Sequence, residues 1–294
     1  MRAIVREKRD GPSSFAYRSA MTSSKTWMIT GASGGLGRAL VARVLAAGHT
    51  VVATVRPGKE LPAHDRLTVL PLDVRDREAA RAAVETAAAR GGGLDVLVNN
   101  AGYGLIAGIE EASEAEVRAI VETDMLGPLW LSQAAVPLMR ARGSGRIVQI
   151  STVGGVGVMP LLGLYNAAKW GFEAFSEALA AEVRAFGVRV SIIQPGALDT
   201  DWAGSNMRFA EALPAYDELR TGLFGRAEIP WPTSPEPTGG TRPEDAAEQI
   251  FAHVCDDGDE RLRVLIGEDA PVQVRAALDG RLADYARDPR FPIV

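Results

Sequence analysis

Short, almost continuously apolar runs alternate along this chain with longer alanine-rich stretches. Seven such runs are rich in β-branched or other apolar residues, at 26–30, 50–55, 67–72, 94–99, 146–151, 189–194 and 262–266. Strands with apolar side chains on both faces are typical of a parallel sheet that helices cover on both sides. The alternation therefore predicts an α/β fold with a single doubly wound parallel sheet of about seven strands.

Two parts of the chain depart from this alternation. Residues 1–24 are polar and without pattern, so we expect a mobile N-terminal tail ahead of one domain over 25–294. Between 197 and 241 the rhythm fails and prolines and glycines accumulate, so we expect an irregular lid over a substrate site. The spacings Ser113–Glu116 and Thr241–Glu244 fit capping boxes and predict two helix starts.

Charge, cysteine and histidine content disfavour several kinds of site. The formal net charge is −5 and basic residues form no long run, which argues against a nucleic-acid or membrane partner. The single cysteine, Cys255, allows no intrachain disulfide, and no signal peptide or membrane-spanning run is apparent, so we expect a cytoplasmic protein. His49, His64 and His253 lie far apart in the sequence, and we expect no metal.

A glycine-rich turn follows the first apolar run, where residues 30–37 read TGASGGLG, and a helix-forming stretch follows the turn. Glycines let the backbone approach a pyrophosphate, while a helix N-terminus offers free N–H groups and a partial positive charge. A glycine cluster alone is more often a tight turn, but this context favours a Rossmann-type dinucleotide site.

Arg56 stands at the tip of the second predicted strand, where an acidic residue would instead accept hydrogen bonds from the adenosine ribose. A guanidinium there suits the 2′-phosphate of NADP(H), so we expect NADP(H) to be preferred over NAD(H). The alternative is a solvated loop arginine.

Tyr165 and Lys169 are four residues apart in a helix-like stretch, and so share one helix face. A nearby ammonium favours phenolate and lowers the tyrosine pKa from about 10 towards neutrality, where the phenol is a useful acid or base. In isolation such a pair is usually a surface coincidence.

Taken together, these motifs resemble those of the short-chain dehydrogenase/reductase family. The resemblance rests on the glycine turn, the sequence NNAG at 99–102, Tyr165 with Lys169, and Pro195-Gly196 after the sixth strand. The region after Asn100 is similar to the hydroxysteroid and retinol dehydrogenase-like subgroup. The resemblance implies that Tyr165 exchanges a proton with the substrate oxygen, while Lys169 lowers its pKa and binds the nicotinamide ribose. Hydride then moves between nicotinamide C4 and a carbonyl or alcohol carbon.

The resemblance also implies a set of cofactor contacts at strand ends. Besides Arg56, they are Gly31, Ser33, Gly34, Gly35, Leu36, Gly37, Asp73, Val74, Asn100, Ala101, Gly102, Tyr165, Lys169, Pro195, Gly196 and Thr200. Asp73 would contact the adenine, and Thr200 the nicotinamide carboxamide. Asn100 and Gly102 are alternatively parts of a structural turn, and Asp73 alternatively caps the next helix.

Two positions depart from the family's usual catalytic tetrad. Its serine falls 13 positions before the tyrosine, where this chain has Thr152, preceded by Ser151. Strand alternation points these two hydroxyls to opposite faces, and the spacing favours Thr152 unless it merely ends a strand. Asp124 replaces an asparagine that usually holds a water near the lysine. Its charge would offset the pull of Lys169 on Tyr165 and raise the pH optimum for oxidation.

An uncharged stretch at 153–164 predicts an apolar substrate pocket, although its residues suit a core or a subunit interface equally well. The expected substrate contacts are Tyr103, Met159, Leu162, Trp202 and Met207. We expect a lipophilic ketone or secondary alcohol as substrate, and the resemblance implies a homodimer or homotetramer. The alternatives are a catalytically idle dinucleotide-binding sensor or interaction protein, and an isomerase or dehydratase on the same fold.

Overall fold

A parallel seven-stranded sheet forms the centre of the molecule. The computed structural model describes residues 24–200, 206–230 and 239–292. Trp202 and nearly all of the expected N-terminal tail lie outside the described residues. The strands are β1 (Thr26–Ile29), β2 (Thr50–Val55), β3 (Leu67–Pro71), β4 (Val96–Asn99), β5 (Gly104–Ile106), β6 (Gly145–Ile150), β7 (Val188–Pro195), β8 (Met207–Phe209) and β9 (Arg263–Ile266). The large sheet has the order β3-β2-β1-β4-β6-β7-β9, which confirms the predicted doubly wound topology.

Helices cover both faces of this sheet. They are α1 (Gly35–Ala46), α2 (Arg77–Ala88), α3 (Glu114–Val121), α4 (Gly127–Arg142), α5 (Gly163–Val183), α6 (Asp217–Phe224), α7 (Pro243–Cys255) and α8 (Ala270–Tyr285). Successive side chains of β1 pack alternately against the helices on the two faces of the sheet. Trp27 and Ile29 pack with α1 and α7, while Met28 packs with α2 and α4. Both faces are thus buried, as the continuous apolar runs predict.

The strand order reverses between β1 and β4, because the chain runs outward through β2 and β3 and then returns to the other side of β1. In open α/β sheets, ligands bind beyond the carboxyl ends of the strands at such a reversal. The two strand ends are therefore the place to look for a site.

The two predicted helix starts have different outcomes. Ser113 caps α3 in a full capping box with Glu116, as expected. The second expectation is wrong, because α7 begins at Pro243 with Arg242 as its N-cap and has no side-chain cap. Proline in the first helical position has its φ preset and needs no N–H partner, while Thr241 is engaged in a β-bridge with Leu198.

The segment at 197–241 contains regular structure that its sequence does not predict. β8 pairs in parallel with β5, in the register Gly104–Met207 to Ile106–Phe209. Helix α6 follows after a short 3-10 turn. Both elements are too short for periodicity to identify them. No helix among the described residues has the length and hydropathy to cross a bilayer.

Candidate active site

The glycine turn joins β1 to α1 and admits only residues with little or no side chain at several positions. Gly31 has a φ of +65°, and a Cβ on it would lie 2.8 Å from Cα of Ala101. Gly35 has a φ of +49°. A Cβ on Gly37 would lie 2.5 Å from Nδ2 of Asn100 and from the Gly31 carbonyl oxygen. These close approaches bring the turn against the end of β4.

The N-terminus of α1 is suited to an anion. Gly34 is its N-cap and supplies no side-chain hydrogen bond, and the first turn carries no acidic residue. A Cβ on Gly34 would meet nothing within 4 Å among the described atoms. No side chain among the described residues caps the backbone N–H groups of the first helical turn, an arrangement that fits a pyrophosphate.

Asn100 holds this turn in place. Its Nδ2 donates hydrogen bonds to the carbonyl oxygens of Thr30 at 2.8 Å and Gly31 at 3.2 Å. The Thr30 hydroxyl in turn accepts from the backbone N–H groups of Asn100 and Ala101, both at 3.0 Å. The side chain of Asn100 thus stabilises the glycine turn, which is the structural role that the sequence also allowed for this residue.

Arg56 and Asp73 follow neighbouring strand ends, since the N–H of Leu72 donates to the Val55 carbonyl at 2.8 Å. Arg56 is exposed. Asp73 pairs with Arg75 at 2.5 Å, and this hydrogen bond lowers the pKa of its carboxyl. The interpretation of Asp73 as a helix cap is wrong.

Asp76 is the residue that caps α2, by accepting from the N–H of Ala79 at 3.0 Å. Val74 is buried, close to Gly127 at the start of α4, where an added Cβ would be 2.7 Å away. Arg75, the partner of the expected adenine contact Asp73, is not part of any motif that the sequence shows.

Tyr165 and Lys169 lie on the first turns of α5, and both are nearly fully buried. The Nζ of Lys169 lies 3.5 Å from Oδ2 of Asp124 and donates to the Ile150 carbonyl at 3.2 Å. The same Nζ is 5.9 Å from the centre of the Tyr165 ring. The ammonium is thus held between the end of β6 and a buried carboxylate.

A π-helical turn at Glu122–Leu126, between α3 and α4, places Asp124. Such turns often occur at functional sites. Oδ1 accepts from the N–H of Tyr103 at 3.2 Å, while Oδ2 has no hydrogen-bond partner among the described atoms. A Cβ on Gly102 would lie 2.9 Å from Oδ2 and 3.4 Å from Nζ of Lys169. Gly102 therefore makes room for this ion pair.

Burial raises the pKa of Asp124 to about 6, although Lys169 opposes the rise. The pKa of Tyr165 is also raised, first by burial and then by the charge of Asp124, while a hydrogen bond with Thr152 opposes the rise. The spacing of Tyr165 and Lys169 predicts that Lys169 lowers this pKa. The structure shows the opposite direction, because the phenol is desolvated and because the charge of Asp124 disfavours the phenolate.

Ser151 and Thr152 point in opposite directions, as strand alternation predicts. The Ser151 hydroxyl donates to Oε1 of Glu173 at 2.6 Å, away from Tyr165. Oγ1 of Thr152 accepts from the N–H of Gly154 at 3.1 Å, and this hydroxyl is the one that hydrogen-bonds with Tyr165. The structure thus brings Tyr165, Lys169, Asp124 and Thr152 together.

Apolar residues adjoin this group on the side of the 197–241 segment, which is called the lid segment below after its expected role. Tyr103 and Leu162 pack in the cluster that contains Tyr165. Leu162 also packs against Met207 in a second cluster, whose other members are Ile106, Leu161, Phe209, Phe224 and Ile229. Met159 is 36% exposed. Three of the expected substrate contacts, Tyr103, Leu162 and Met207, therefore lie in two clusters that share Leu162.

The remaining expected contacts lie at the ends of β7 and its loop. A Cβ on Gly196 would collide with the carboxylate of Asp269, and Thr200 faces Gly35, at 3.4 Å from the position of a Cβ there. Pro195 ends β7. Thr200 thus lies over the glycine turn.

A second polar constellation, absent from the sequence analysis, lies between β7 and α7. His253 makes hydrogen bonds of 2.8 Å with the hydroxyl of Ser191 and 2.7 Å with Asp259. These partners resemble a nucleophilic triad, but Ser191 is 3% exposed and offers no access to a substrate. The group ties α7 and its following loop to the sheet. No cluster of His, Cys, Asp or Glu among the described residues is suited to hold a metal ion.

Known proteins resemble this chain over most of its length. A family model described as short chain dehydrogenase matches residues 25–210. The oxidoreductase BOA17 of Botryotinia fuckeliana is 34% identical over 256 residues, which cover 84% of this chain and 90% of that protein.

Solved structures show the same likeness. A short-chain dehydrogenase from Streptomyces avermitilis is 35% identical with a TM-score of 0.79, and the match covers 90% of this chain and 97% of that one. The closed form of a serine dehydrogenase complexed with NADP+ is 26% identical with a TM-score of 0.67, covering 82% and 94%.

Proposed function

Because the chain belongs to the short-chain dehydrogenase family, we propose that it is an NADP(H)-dependent oxidoreductase that interconverts a lipophilic ketone and its secondary alcohol. The observation that carries the proposal is that Tyr165, Lys169 and Thr152 lie together next to the glycine turn. Ala101 lies against Gly31, and the next residue, Gly102, lies against Lys169. A nicotinamide ring and a substrate oxygen can therefore share one site.

A bound nicotinamide dinucleotide supplies the hydride for reduction or accepts it for oxidation. Tyr165 donates its phenolic proton to the substrate oxygen during reduction and takes it back during oxidation. Thr152 hydrogen-bonds to the same oxygen and polarises the carbonyl. A phenol is protonated at neutral pH already at its ordinary pKa of about 10, so Tyr165 is in the form that donates a proton in reduction.

The cofactor preference rests on Arg56, which is exposed at the end of β2. Its guanidinium can bind a 2′-phosphate bidentately. The NADP+ complex of the similar serine dehydrogenase supports a nicotinamide dinucleotide as the cofactor. The proposed preference for NADP(H) over NAD(H) rests on Arg56 alone. Arg56→Ala should weaken NADPH binding about tenfold and leave NADH binding unchanged. The matched control is Lys59→Ala, which removes an exposed cation three residues further on.

Substrate class is supported by the apolar clusters beside Tyr165. The test is a fluorescence titration with NADPH and NADH, followed by NADPH oxidation against aliphatic, aromatic, steroidal and terpenoid ketones. We expect tight NADPH binding and turnover of at least one apolar ketone. Turnover restricted to small polar carbonyls would contradict the proposed substrate class, and preference for NADH would contradict the cofactor.

A cofactor-binding sensor without catalysis is the second candidate. The observation that favours it is the buried Asp124–Lys169 pair, which leaves the pKa of Tyr165 raised. A sensor would bind NADPH and oxidise none in the presence of any ketone. Self-association, which the family resemblance implies, is a separate proposal that sedimentation of the purified protein tests.

A further inference from the structure

Glu173 is a buried carboxylate beside the proposed catalytic residues. It has no part in the proposed chemistry. It lies on α5, one turn after Lys169, and is 5% exposed. It accepts hydrogen bonds from the Ser151 hydroxyl at 2.6 Å and from Nε2 of Gln194 at 2.9 and 3.0 Å. Nε of Arg263 lies 3.6 Å away. One side chain thus connects the ends of β6 and β7 with β9.

The short 3-10 turn at Val153–Gly155 packs directly on this carboxylate. A Cβ on Gly155 would collide with Oε1 of Glu173 and would lie 2.7 Å from Oγ of Ser151. The turn is closed by the N–H of Gly155, which donates to the Thr152 carbonyl at 2.9 Å. Glu173 therefore contacts both the residue before Thr152 and the turn after it.

Adjacent residues of an extended chain point to opposite faces, so the orientation of Ser151 determines that of Thr152. With its hydroxyl anchored on Glu173, Ser151 directs the Thr152 hydroxyl to the opposite side, where Tyr165 lies. Burying a carboxylate costs free energy that an apolar side chain of similar size would avoid. Stability alone therefore does not account for a carboxylate at this position.

Glu177 provides an internal comparison. It lies one turn further along α5 and pairs with the same Arg263, at 2.7 Å, yet its side chain is 58% exposed. It has no hydrogen bond to Ser151 or Gln194 among the described residues. The two glutamates lie on the same helix and pair with the same arginine. Only Glu173, of the two, contacts the end of β6 that precedes Thr152.

We infer that Glu173 is a positioning residue of the reductase: by holding Ser151 and the 153–155 turn, it aims the Thr152 hydroxyl at Tyr165 and the substrate oxygen. The inference rests on the proposed function. It predicts that Glu173 acts on catalysis only through Thr152, and that cofactor binding is independent of it.

The test is a double-mutant cycle in the NADPH-dependent ketone assay. Glu173→Gln and Ser151→Ala should each lower kcat about 10- to 100-fold, because small misplacements of a catalytic group have effects of this size. The NADPH dissociation constant should stay within about twofold, and Glu177→Gln should behave as the wild type. In a Thr152→Val background, the effect of either substitution should shrink to about twofold or less.

If Glu173→Gln or Ser151→Ala lowers kcat by the same factor in the Thr152→Val background as in the wild type, Glu173 has a general structural role. That result would overturn the inference. Ser151→Ala removes a single hydroxyl and keeps the test decisive if Glu173→Gln fails to fold. A wild-type protein that binds NADPH and turns over no ketone would contradict the proposed function itself. Turnover by the wild type together with normal kcat in Ser151→Ala would contradict only the positioning role.

Discussion

The glycine turn and the lid segment flank the same four residues, Tyr165, Lys169, Asp124 and Thr152, but different interactions hold the two regions in place. In the turn, backbone geometry is decisive: Gly31, at a positive φ, lies against Ala101, and the Asn100 side chain hydrogen-bonds to the backbone carbonyl of Thr30. The lid segment depends on partners about 100 residues away in sequence. Glu111 accepts hydrogen bonds from the N–H of Leu213 at 2.8 Å and from Arg220 at 2.6 Å.

Arg220 anchors the lid segment through a buried side chain. It is fully buried, and it also contacts Asp217 and the Leu213 carbonyl. A local backbone requirement leaves a motif in the sequence, whereas a distant ion pair leaves none. The comparison teaches that the glycine turn can be identified from the sequence, whereas the lid segment is specified by tertiary contacts.

Breaking the buried ion pair should have the largest effect on the lid segment. Arg220→Met leaves the Glu111 carboxylate buried without its cation, and should destabilise the protein by about 3–5 kcal/mol. Because the lid segment packs on the apolar clusters, KM for a lipophilic ketone should rise about tenfold, with NADPH affinity unchanged. Denaturant unfolding and steady-state kinetics measure both.

The exposed Arg226 provides the matched control, since Arg226→Met removes a cation from the same segment. Loss of NADPH affinity in Arg220→Met would show that the two regions are not independent.

Adding a methyl group to the glycine turn should have a smaller, position-dependent effect. Gly37→Ala places a Cβ 2.5 Å from Asn100 and should destabilise the protein by about 1–3 kcal/mol through overpacking. Gly34→Ala places its Cβ where no atom of a non-neighbouring described residue lies within 4 Å, and should change the free energy of unfolding by about 0.5 kcal/mol or less. Equal destabilisation by the two substitutions, in urea unfolding, would contradict the packing of the turn on Asn100.

Asp124 pairs with Lys169 beside Tyr165, and its removal should shift a pH profile. Its negative charge raises the pKa of Tyr165, so Asp124→Asn should lower that pKa. Alcohol oxidation requires the phenolate, and its rate should therefore reach its plateau about one pH unit lower in the variant. The measurement is kcat for oxidation against pH.

Glu122→Gln, on the same π-helical turn, is the control. An unshifted profile in Asp124→Asn would remove any electrostatic role for the carboxylate.

The same contrast explains how far sequence reasoning reached. The seven strands of the central sheet follow from apolar runs, and Ser113 caps α3 as its spacing predicts. Thr241 failed as a cap because Pro243 sets the helix start, a local competition that the capping pattern ignores. β8 and α6 are too short to show a period.

Within the site, the motif residues could be identified from the sequence. Their pKa values could not be predicted from it. Lys169 spacing predicts a lowered tyrosine pKa only if the phenol keeps its solvent, and Tyr165 is desolvated. Glu173 carries no motif, because its partners Ser151 and Gln194 come from two different strands. Burial and strand neighbours are properties of the fold.

The central claim is that Tyr165 transfers the proton in an NADP(H)-dependent reaction, and one paired measurement tests it most directly. Tyr165→Phe and the wild type are compared by NADPH titration and by NADPH oxidation with the best ketone, with the exposed Tyr285→Phe as control. Tyr165→Phe should bind NADPH within about twofold of the wild type and lose about 10³-fold or more in kcat, while Tyr285→Phe keeps full activity. Near-normal turnover by Tyr165→Phe would contradict the account.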